Sequence, residues 1–446
     1  MSTRSTSTRS KPVPDCRAQI QRRRKLLRLI GDGIAFIPTA PERLRNADAH
    51  FQYRFDSHFW YLTGFPEPEA VLVLIGGKTP RSLLFCREKN QEREIWDGFR
   101  YGPREAQKVF GVDEALPISK LDGMAAQLIA GQKRLLHPLG ADPAFDAQVA
   151  AWIGQVRSQI RSGVVAPSEF GDVRALIDDM RLVKDRAEIR TMQRAAQIAG
   201  QAHIRAMQAT APGMNEYEIE AELLHEFRRH GAQAPAYNSI VAGGSNACVL
   251  HYVDNSAPLH DGDLLLIDAG CELDGYASDI TRTFPVSGTF SAAQRDCYEV
   301  VLAAQLAAIR AVKPGAPFSA YHEAAVKVLV QGMVDLKLLK GPVDRAIESG
   351  DYRKFYMHRT GHWLGLDVHD VGAYSEGGKS RKLAVGNVLT VEPGLYIRPD
   401  KSVPKDFWNI GIRIEDDVLV TEGGREVLSA ATPKSVADIE ALMAGA

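Results

Sequence analysis

Two aspartates lie within strand-like sequence of this chain, where their type and spacing are suited to binding a metal. Residues 264–284 read LLLIDAGCELDGYASDITRTF and contain Asp268 and Asp279. The segment begins as an apolar strand fit for a protein interior, where an unpaired carboxylate costs several kcal/mol or more. Both aspartates therefore need a partner.

The turn between the two strand-like runs sets their pairing. Asp-Gly at 274–275 is a favoured two-residue hairpin turn. With this turn, Asp268 faces Thr281 and Asp279 faces Gly270, so the two aspartates become diagonal neighbours on one face. Backbones in this relation are roughly 5–8 Å apart. Like charges at this distance repel unless one is protonated or a cation lies between them.

Further acids follow in two later apolar segments. Glu392 ends the buried-type run VLTVEPG, and Glu415 lies in GIRIEDDVLV. Alternation along that strand puts Arg413 on the face of Glu415, where its charge could orient or neutralise the acids. Two plainer alternatives remain open. One of the hairpin aspartates could cap a turn while the other pairs with Arg282, and Arg413 and Glu415 could form a surface pair on an edge strand.

Three histidines lie close together in MHRTGHWLGLDVHD, at His358, His362 and His369. Gly361 and Gly365 favour a loop over a helix. Four carboxylates with at least one imidazole form an oxygen-rich donor set that suits Mn²⁺, with Co²⁺ or Zn²⁺ as alternatives. Their charge balances two divalent cations, and paired metals are a known device for hydrolysis.

Composition limits the partners of the chain. It has 54 Lys and Arg residues against 55 Asp and Glu residues, so it lacks the basic field that attracts nucleic acid. No apolar run is long enough to span a membrane, so we expect no membrane partner. The five cysteines form no CxxC pair and are odd in number. They indicate reduced thiols and a cytoplasmic location.

The 446 residues are enough for two domains. Residues 34–160 alternate strand and helix signals typical of an α/β domain, and the Gly/Pro/Ser-rich residues 162–173 are predicted to form a linker. The rest shows two helices followed by strands, twice over. We therefore predict an N-terminal domain over 1–172, with a flexible basic tail at 1–15, and a catalytic domain over 173–446.

Five motifs in order, IDAG, SDITRTFPV, HWLGLDVHDVG, VLTVEPGLYI and GIRIEDDVLV, resemble the pita-bread metallopeptidases, and among them the bacterial aminopeptidase P family. The N-terminal DSHFWYLTGFPEPEAVLVLI is similar to the non-catalytic domain of the same enzymes. The resemblance implies an α+β pita-bread catalytic domain preceded by an α/β creatinase-like domain.

The resemblance also implies roles for individual residues. The implied metal ligands are Asp268, Asp279, His362, Glu392 and Glu415. His251 and His369 would assist the tetrahedral intermediate and the leaving group, with Glu392 as proton acceptor. His358, Arg413 and Tyr396 would contact substrate. Trp363 is a further candidate for the pocket, with a place in the core as the alternative. One departure is clear, because the family often has HGLSHxLG where this chain has HRTGHWLG. The bulkier Arg359 is expected to alter the loop and the fit of the substrate.

The implied activity is removal of the N-terminal residue from peptides with proline at position two, by a centre of two divalent metal ions, Mn²⁺ first. The alternatives are a prolidase, which cleaves only Xaa-Pro dipeptides, and a metal-free peptide-binding pseudoenzyme. The resemblance further implies a homodimer or homotetramer built through the N-terminal domain, with Trp96 either reaching a neighbouring subunit's cleft or packing in a core.

Overall fold

The computed structural model describes residues 15–445. The predicted basic tail at 1–15 lies outside this part of the chain, apart from its last residue. The chain divides into two compact units between Met180 and Arg181. Among the described residues, no helix combines the length and the apolar character needed to cross a membrane.

The N-terminal unit is an α/β domain, as predicted. Its six-stranded sheet has the order β6-β5-β4-β1-β7-β8, and a separate short hairpin is formed by β2 and β3. The strands are β1 (Gly33–Pro38), β2 (Leu44–Asn46), β3 (Ala49–His50), β4 (Val71–Ile75), β5 (Arg81–Cys86), β6 (Glu114–Pro117), β7 (Arg134–His137) and β8 (Glu169–Asp172). The helices are α1 (Arg17–Ile30), α2 (Ser57–Thr63), α3 (Gln91–Asp97), α4 (Gly102–Phe110), α5 (Leu121–Ile129), α6 (Pro143–Ser158) and α7 (Arg174–Leu182), the last of which runs across the division between the units.

The predicted linker at 162–173 is wrong in its last third. Residues Glu169–Asp172 form strand β8, which pairs in parallel with β7 at the edge of the sheet. The segment has weak strand propensity, and hydrogen bonding to a buried neighbouring strand outweighs that preference. The predicted division after residue 172 falls between β8 and α7.

The C-terminal unit contains two helix pairs and several small antiparallel sheets. Its helices are α8 (Arg186–Ala209), α9 (Glu216–Arg229), α10 (Ala292–Ala311), α11 (Ser319–Asp335), α12 (Val343–Ser349) and α13 (Val436–Ala444). Its strands are β9 (Ala234–Pro235), β10 (Ile240–Gly243), β11 (Leu264–Asp268), β12 (Cys271–Leu273), β13 (Tyr276–Ala277), β14 (Thr281–Pro285), β15 (Ser375–Glu376), β16 (Lys379–Ser380), β17 (Val388–Val391), β18 (Gly394–Ile397), β19 (Ile410–Arg413), β20 (Asp416–Thr421) and β21 (Gly424–Val427).

The long helices begin where the sequence supplies caps. Asp185, Asn215 and Ser291 each form a capping box with the acid or amide three positions later, which satisfies the free N–H groups at the starts of α8, α9 and α10. Helix α8 packs against α9, and α10 against α11. Their apolar faces bury one large core against the strands that carry the predicted acids.

The predicted hairpin register is confirmed. Leu273 pairs with Tyr276 across the Asp-Gly turn, and Asp268 pairs with Thr281. Gly270 passes so close to the opposite strand that an added Cβ would lie 1.7 Å from the Ser278 carbonyl oxygen. This close approach brings the two halves of the hairpin together near the acids.

Candidate metal centre

The four predicted acids converge from the ends of neighbouring strands. Asp268 ends β11, and Asp279 lies in the short segment between β13 and β14. Glu392 follows β17, and Glu415 lies between β19 and β20. Strand ends release backbone from the sheet, so these positions can turn side chains toward a common point. All four acids line one cavity of about 990 Å³, called the central cavity below.

His362 joins these acids from the loop after α12. Its Nε2 lies 3.4 Å from Asp279 Oδ2 and 3.6 Å from Glu392 Oε1. Asp279, His362 and Glu415 each offer one ligand atom within 4.8 Å of the others. Such spacing suits donors that surround one cation. The predicted loop conformation of this segment is also observed.

Two hydrogen bonds fix the orientation of His362. Its Nδ1 donates to the backbone oxygen of Trp363 at 2.9 Å, which directs Nε2 toward the acids. Its backbone N–H donates to Thr390 Oγ1 at 3.1 Å. At Gly361 an added Cβ would lie 2.0 Å from the Thr390 carbonyl oxygen, so only glycine allows the loop this close to β17.

The acids carry more negative charge than the protein around them neutralises. Burial, together with the neighbouring carboxylates, raises the pKa of Glu415 well above its usual range. Burial also raises the pKa of Asp279, and that of Glu392 to about 7. Burial alone would lower the pKa of His362, but Asp279 and Glu392 outweigh it and raise that pKa to about 9.

This arrangement fits divalent metal ions. Carboxylate oxygens with one imidazole nitrogen are hard and borderline donors of the kind that such ions prefer. A bound cation would supply the charge that holds the carboxylates ionised despite their burial. The Nδ1–carbonyl hydrogen bond of His362 matches the usual outer support of a metal-binding histidine.

Arg413 lies behind the acids and provides part of their counter-charge. Its Nη2 donates to Asp268 Oδ2 at 2.6 Å and its Nη1 to the Tyr396 hydroxyl at 3.0 Å. The side chain is 4 % exposed, so the open possibility of a surface pair with Glu415 does not hold. The structure places Tyr396, predicted to contact substrate, beside Arg413 and fully buried rather than on the cavity wall.

Three further histidines line the central cavity, namely His251, His358 and His369. The ring of His369 packs edge-on against His362, with centroids 4.3 Å apart. His358 Nδ1 donates to the Arg359 backbone oxygen at 2.7 Å, so its Nε2 accepts from the Tyr396 hydroxyl at 2.9 Å. Burial, followed by the charge of Arg413, lowers the pKa of His358 to about 4, which keeps the ring neutral.

The sequence interpretation missed three residues that support the acids. The Tyr237 hydroxyl lies 2.6 Å from Asp268 Oδ1 and also contacts Asp279 Oδ1. Thr281 donates to Glu415 Oε2 at 2.6 Å, and Asp417 accepts the backbone N–H of Asp279. The pairing of strand β10 with β11 could have identified Tyr237. The first residue of β10, Ile240, pairs with Asp268, so the residues just before β10 lie near the acids.

Arg282 does not pair with a hairpin aspartate, which was one of the open alternatives. It donates to Asp416 Oδ1 at 2.8 Å and leaves both hairpin aspartates to the cavity. Lys434 and Gln305 also donate to Asp416. The arginine therefore stabilises the start of β20, next to Glu415. Trp363, considered for the substrate pocket, lies instead in a core with Phe318.

A buried ionic cluster holds the loop that carries the histidines. Asp370, directly after His369, accepts from Arg181 Nη2 at 2.6 Å and from Lys184 Nζ at 2.8 Å. All three side chains are 1 % exposed. The backbone N–H of Asp370 donates to the Trp363 oxygen at 2.9 Å, which closes the loop on itself.

Comparison with known protein families accounts for most of the chain. The model of metallopeptidase family M24 matches residues 190–422, and that of the aminopeptidase P N-terminal domain matches residues 19–137. The chain belongs to the aminopeptidase P branch of metallopeptidase family M24. The predicted fold class is confirmed by this membership, as pita-bread and N-terminal α/β domains.

Individual relatives of this M24 metallopeptidase agree with that assignment. The chain is 46% identical over 434 residues to Xaa-Pro aminopeptidase of Escherichia coli strain K12, covering 96% of this chain and 98% of the relative. It is 48% identical over 403 residues to Xaa-Pro aminopeptidase of Haemophilus influenzae, covering 90% and 91%.

Solved structures give the same result. Pseudomonas aeruginosa aminopeptidase PepP matches with a TM-score of 0.95 and 50% identity, over 97% of this chain and 98% of that one. Zinc-substituted E. coli aminopeptidase P in complex with product matches with a TM-score of 0.95 and 45% identity, over 97% and 99%. This M24 metallopeptidase is therefore a hydrolase, a metalloaminopeptidase that uses divalent metal.

Proposed function

We propose that the chain removes the N-terminal residue from peptides that have proline at position two. The observation that carries this proposal is the central cavity, where four carboxylates and His362 meet beside three further histidines. The E. coli and H. influenzae relatives are both Xaa-Pro aminopeptidases, and they span nearly the whole chain. We also propose a cytoplasmic location, in keeping with the five free cysteines, all of them buried.

We infer a centre of two divalent ions, with Mn²⁺ as the first candidate. Asp268, Asp279, His362, Glu392 and Glu415 would hold them, because four carboxylates balance two divalent charges. When bound, such ions supply Lewis-acid polarisation of the scissile carbonyl and lower the pKa of the attacking water. Five donors from separate strand ends and one loop would fix the geometry of the pair.

The protein's own groups would handle the protons. Glu392 is the proposed acceptor of the proton from the attacking water, because its carboxylate lines the central cavity beside His362. The amide before proline has no N–H, and its nitrogen must gain a proton to leave. His369 and His251 are the proposed donors to that nitrogen and to the developing oxyanion.

Substrate contacts are proposed for His358 and Arg413, with Tyr396 acting from behind them. His358 is neutral, presents its ring to the cavity and is oriented by the Tyr396 hydroxyl. Arg413 lines the cavity while it is fixed to Asp268. A neutral ring beside a fixed guanidinium provides an apolar face with a polar edge, which suits the proline ring and its carbonyl.

The experiment compares Arg-Pro-Pro with Arg-Pro as substrates of chelated protein, with and without added Mn²⁺. Hydrolysis of the tripeptide that returns with metal supports the proposal. Hydrolysis of the dipeptide alone would make the chain a prolidase. Hydrolysis of neither, in protein that binds no metal, would favour a peptide-binding role without catalysis.

We propose a homodimer or homotetramer formed through the N-terminal unit, taken as residues 1–172. Helix α3 and the residue pair after it expose three large apolar side chains, with Ile95 81 %, Trp96 80 % and Phe99 49 % exposed. Clustered exposed apolar residues mark interaction sites. Light scattering should give a mass of two or four chains, and a smaller mass for Trp96→Glu. A monomeric mass for the unchanged chain would contradict this.

A further inference from the structure

Arg359 lies between His358 and His362 in the sequence and lines the central cavity with them. Its own side chain has no partner in the described part of the chain. Within residues 15–445, its guanidinium forms no hydrogen bond and no ion pair, and the residue is exposed. Its charge is felt by His322, whose pKa is lowered by burial and then by Arg359. Phe318 and Ser319, at the start of helix α11, line the same cavity as Arg359.

The backbone that carries Arg359 is held firmly on both sides. The Thr360 hydroxyl lies 2.7 Å from the Tyr356 hydroxyl and 2.8 Å from His322 Nδ1. On the other side, His358 Nδ1 donates to the Arg359 backbone oxygen at 2.7 Å. A charged side chain on a fixed backbone loses less freedom when it binds a ligand, so it is prepared for contact.

The charges of the cavity are unevenly placed. The acids gather at the metal centre and would receive the amino end of a peptide together with the metals. Among the described residues, none of these acids forms an ion pair with Arg359. The cavity volume of about 990 Å³ is at the upper end of the 300–1,000 Å³ that is usual for small-ligand pockets. It therefore leaves room for residues beyond position two.

We propose that Arg359 selects peptides that carry a carboxylate beyond the proline, an inference that rests on the proposed function. The planar guanidinium matches a carboxylate and can bind it through two parallel hydrogen bonds. The carboxylate can be the C-terminus of a short peptide or an acidic side chain a few residues beyond the proline. Arg359 thus acts as a specificity residue, outside the metal centre.

The test measures kcat and KM for two matched substrate pairs with the Mn²⁺-loaded protein. Ala-Pro-Gly and its C-terminal amide differ only in the terminal carboxylate. Ala-Pro-Gly-Glu amide and Ala-Pro-Gly-Gln amide differ only in the side-chain carboxylate. We expect kcat/KM to favour the charged member of at least one pair about three- to tenfold, through KM, and to do so less at high salt. The pair that shows the preference identifies the source of the carboxylate.

Three variants assign the preference. Arg359→Met removes the guanidinium but keeps an unbranched, flexible side chain, and it should bring the ratio of the pair to about one. Arg359→Lys keeps the charge without the planar group and should retain part of the ratio. Arg353→Met removes an exposed cation that does not line the cavity, and it should keep the full ratio. The proposal is overturned if the unchanged chain shows no preference, if Arg359→Met keeps it, or if Arg353→Met loses it equally.

Calorimetric titration with the products Pro-Gly and Pro-Gly amide separates this inference from the proposed function. Binding of these products needs no turnover. If no peptide is hydrolysed but the unchanged chain prefers Pro-Gly and Arg359→Met does not, the proposed function fails and the carboxylate site stands. If peptides are hydrolysed but no charge preference appears in either measurement, the proposed function stands and the role of Arg359 is refuted.

Discussion

Asp370→Asn should destabilise the C-terminal unit and reduce activity through the loop that carries His362 and His369. The Asp370 carboxylate is 1 % exposed and lies between Arg181 and Lys184, whose side chains are equally buried. An asparagine removes the negative charge and can accept from only one cation, while its NH₂ group faces the donors of the other. Removing one partner of a buried ion pair costs about 3–5 kcal/mol.

For a unit of this size, each kcal/mol lowers Tm by about 2 °C, so that free energy corresponds to a fall in Tm of roughly 5–10 °C. Asp367→Asn is the matched control, because Asp367 accepts from the same Arg181 but its side chain is 37 % exposed. An exposed charge contributes little to stability, so the Tm of Asp367→Asn should fall by only a small fraction of that amount. Calorimetry on chelated and Mn²⁺-loaded protein should show the difference in both forms, since the cluster lies outside the proposed ligands. Equal Tm values for Asp370→Asn and Asp367→Asn would refute the reasoning.

Three further predictions concern the acids. Tyr237→Phe removes the hydroxyl that contacts two proposed ligands and should weaken Mn²⁺ binding about 10- to 100-fold in chelator competition, whereas unchanged affinity would contradict its supporting role. Arg282 and Lys434 outweigh burial and lower the pKa of Asp416 from 3.8 to about 2. About 2 kcal/mol of stability should therefore be lost as pH falls from about 4 to 2. In acid-unfolding measurements, Asp416→Asn should lack this loss. In the metal-free chain the pKa of Glu392 is raised from 4.5 to about 7 and that of His362 from 6.5 to about 9. Both groups therefore make Tm fall as pH rises from about 5 to 9. Mn²⁺ should abolish that fall in Tm, and a flat profile of Tm against pH for the metal-free chain would contradict the charge account.

Local signals in the sequence were enough for the hairpin and its acids. The Asp-Gly turn sets the register by itself, because a two-residue loop leaves one pairing for the strands, and Asp268 faces Thr281 as that pairing requires. The helices were equally readable, since α8 begins at the Asp185 cap and its apolar period is continuous. In both cases, residues close in the chain decide the structure.

Contacts between distant segments could not be derived in this way. Arg282 finds Asp416 rather than a hairpin aspartate because the start of β20 lies beside β14, a neighbourhood that only the folded chain creates. Tyr237 carries no motif and reaches the acids through the pairing of β10 with β11. Strand β8 has the composition of a linker and is a strand because β7 offers it an edge.

The most direct test of the metal centre is a titration of fully chelated protein with Mn²⁺, in which bound metal and Arg-Pro-Pro hydrolysis are measured on the same samples. We expect no hydrolysis without metal, activity that reaches its plateau at two ions per chain, and loss of both binding and activity in Glu415→Ala. Full hydrolysis of Arg-Pro-Pro by metal-free protein, or by Glu415→Ala without bound metal, would contradict the account.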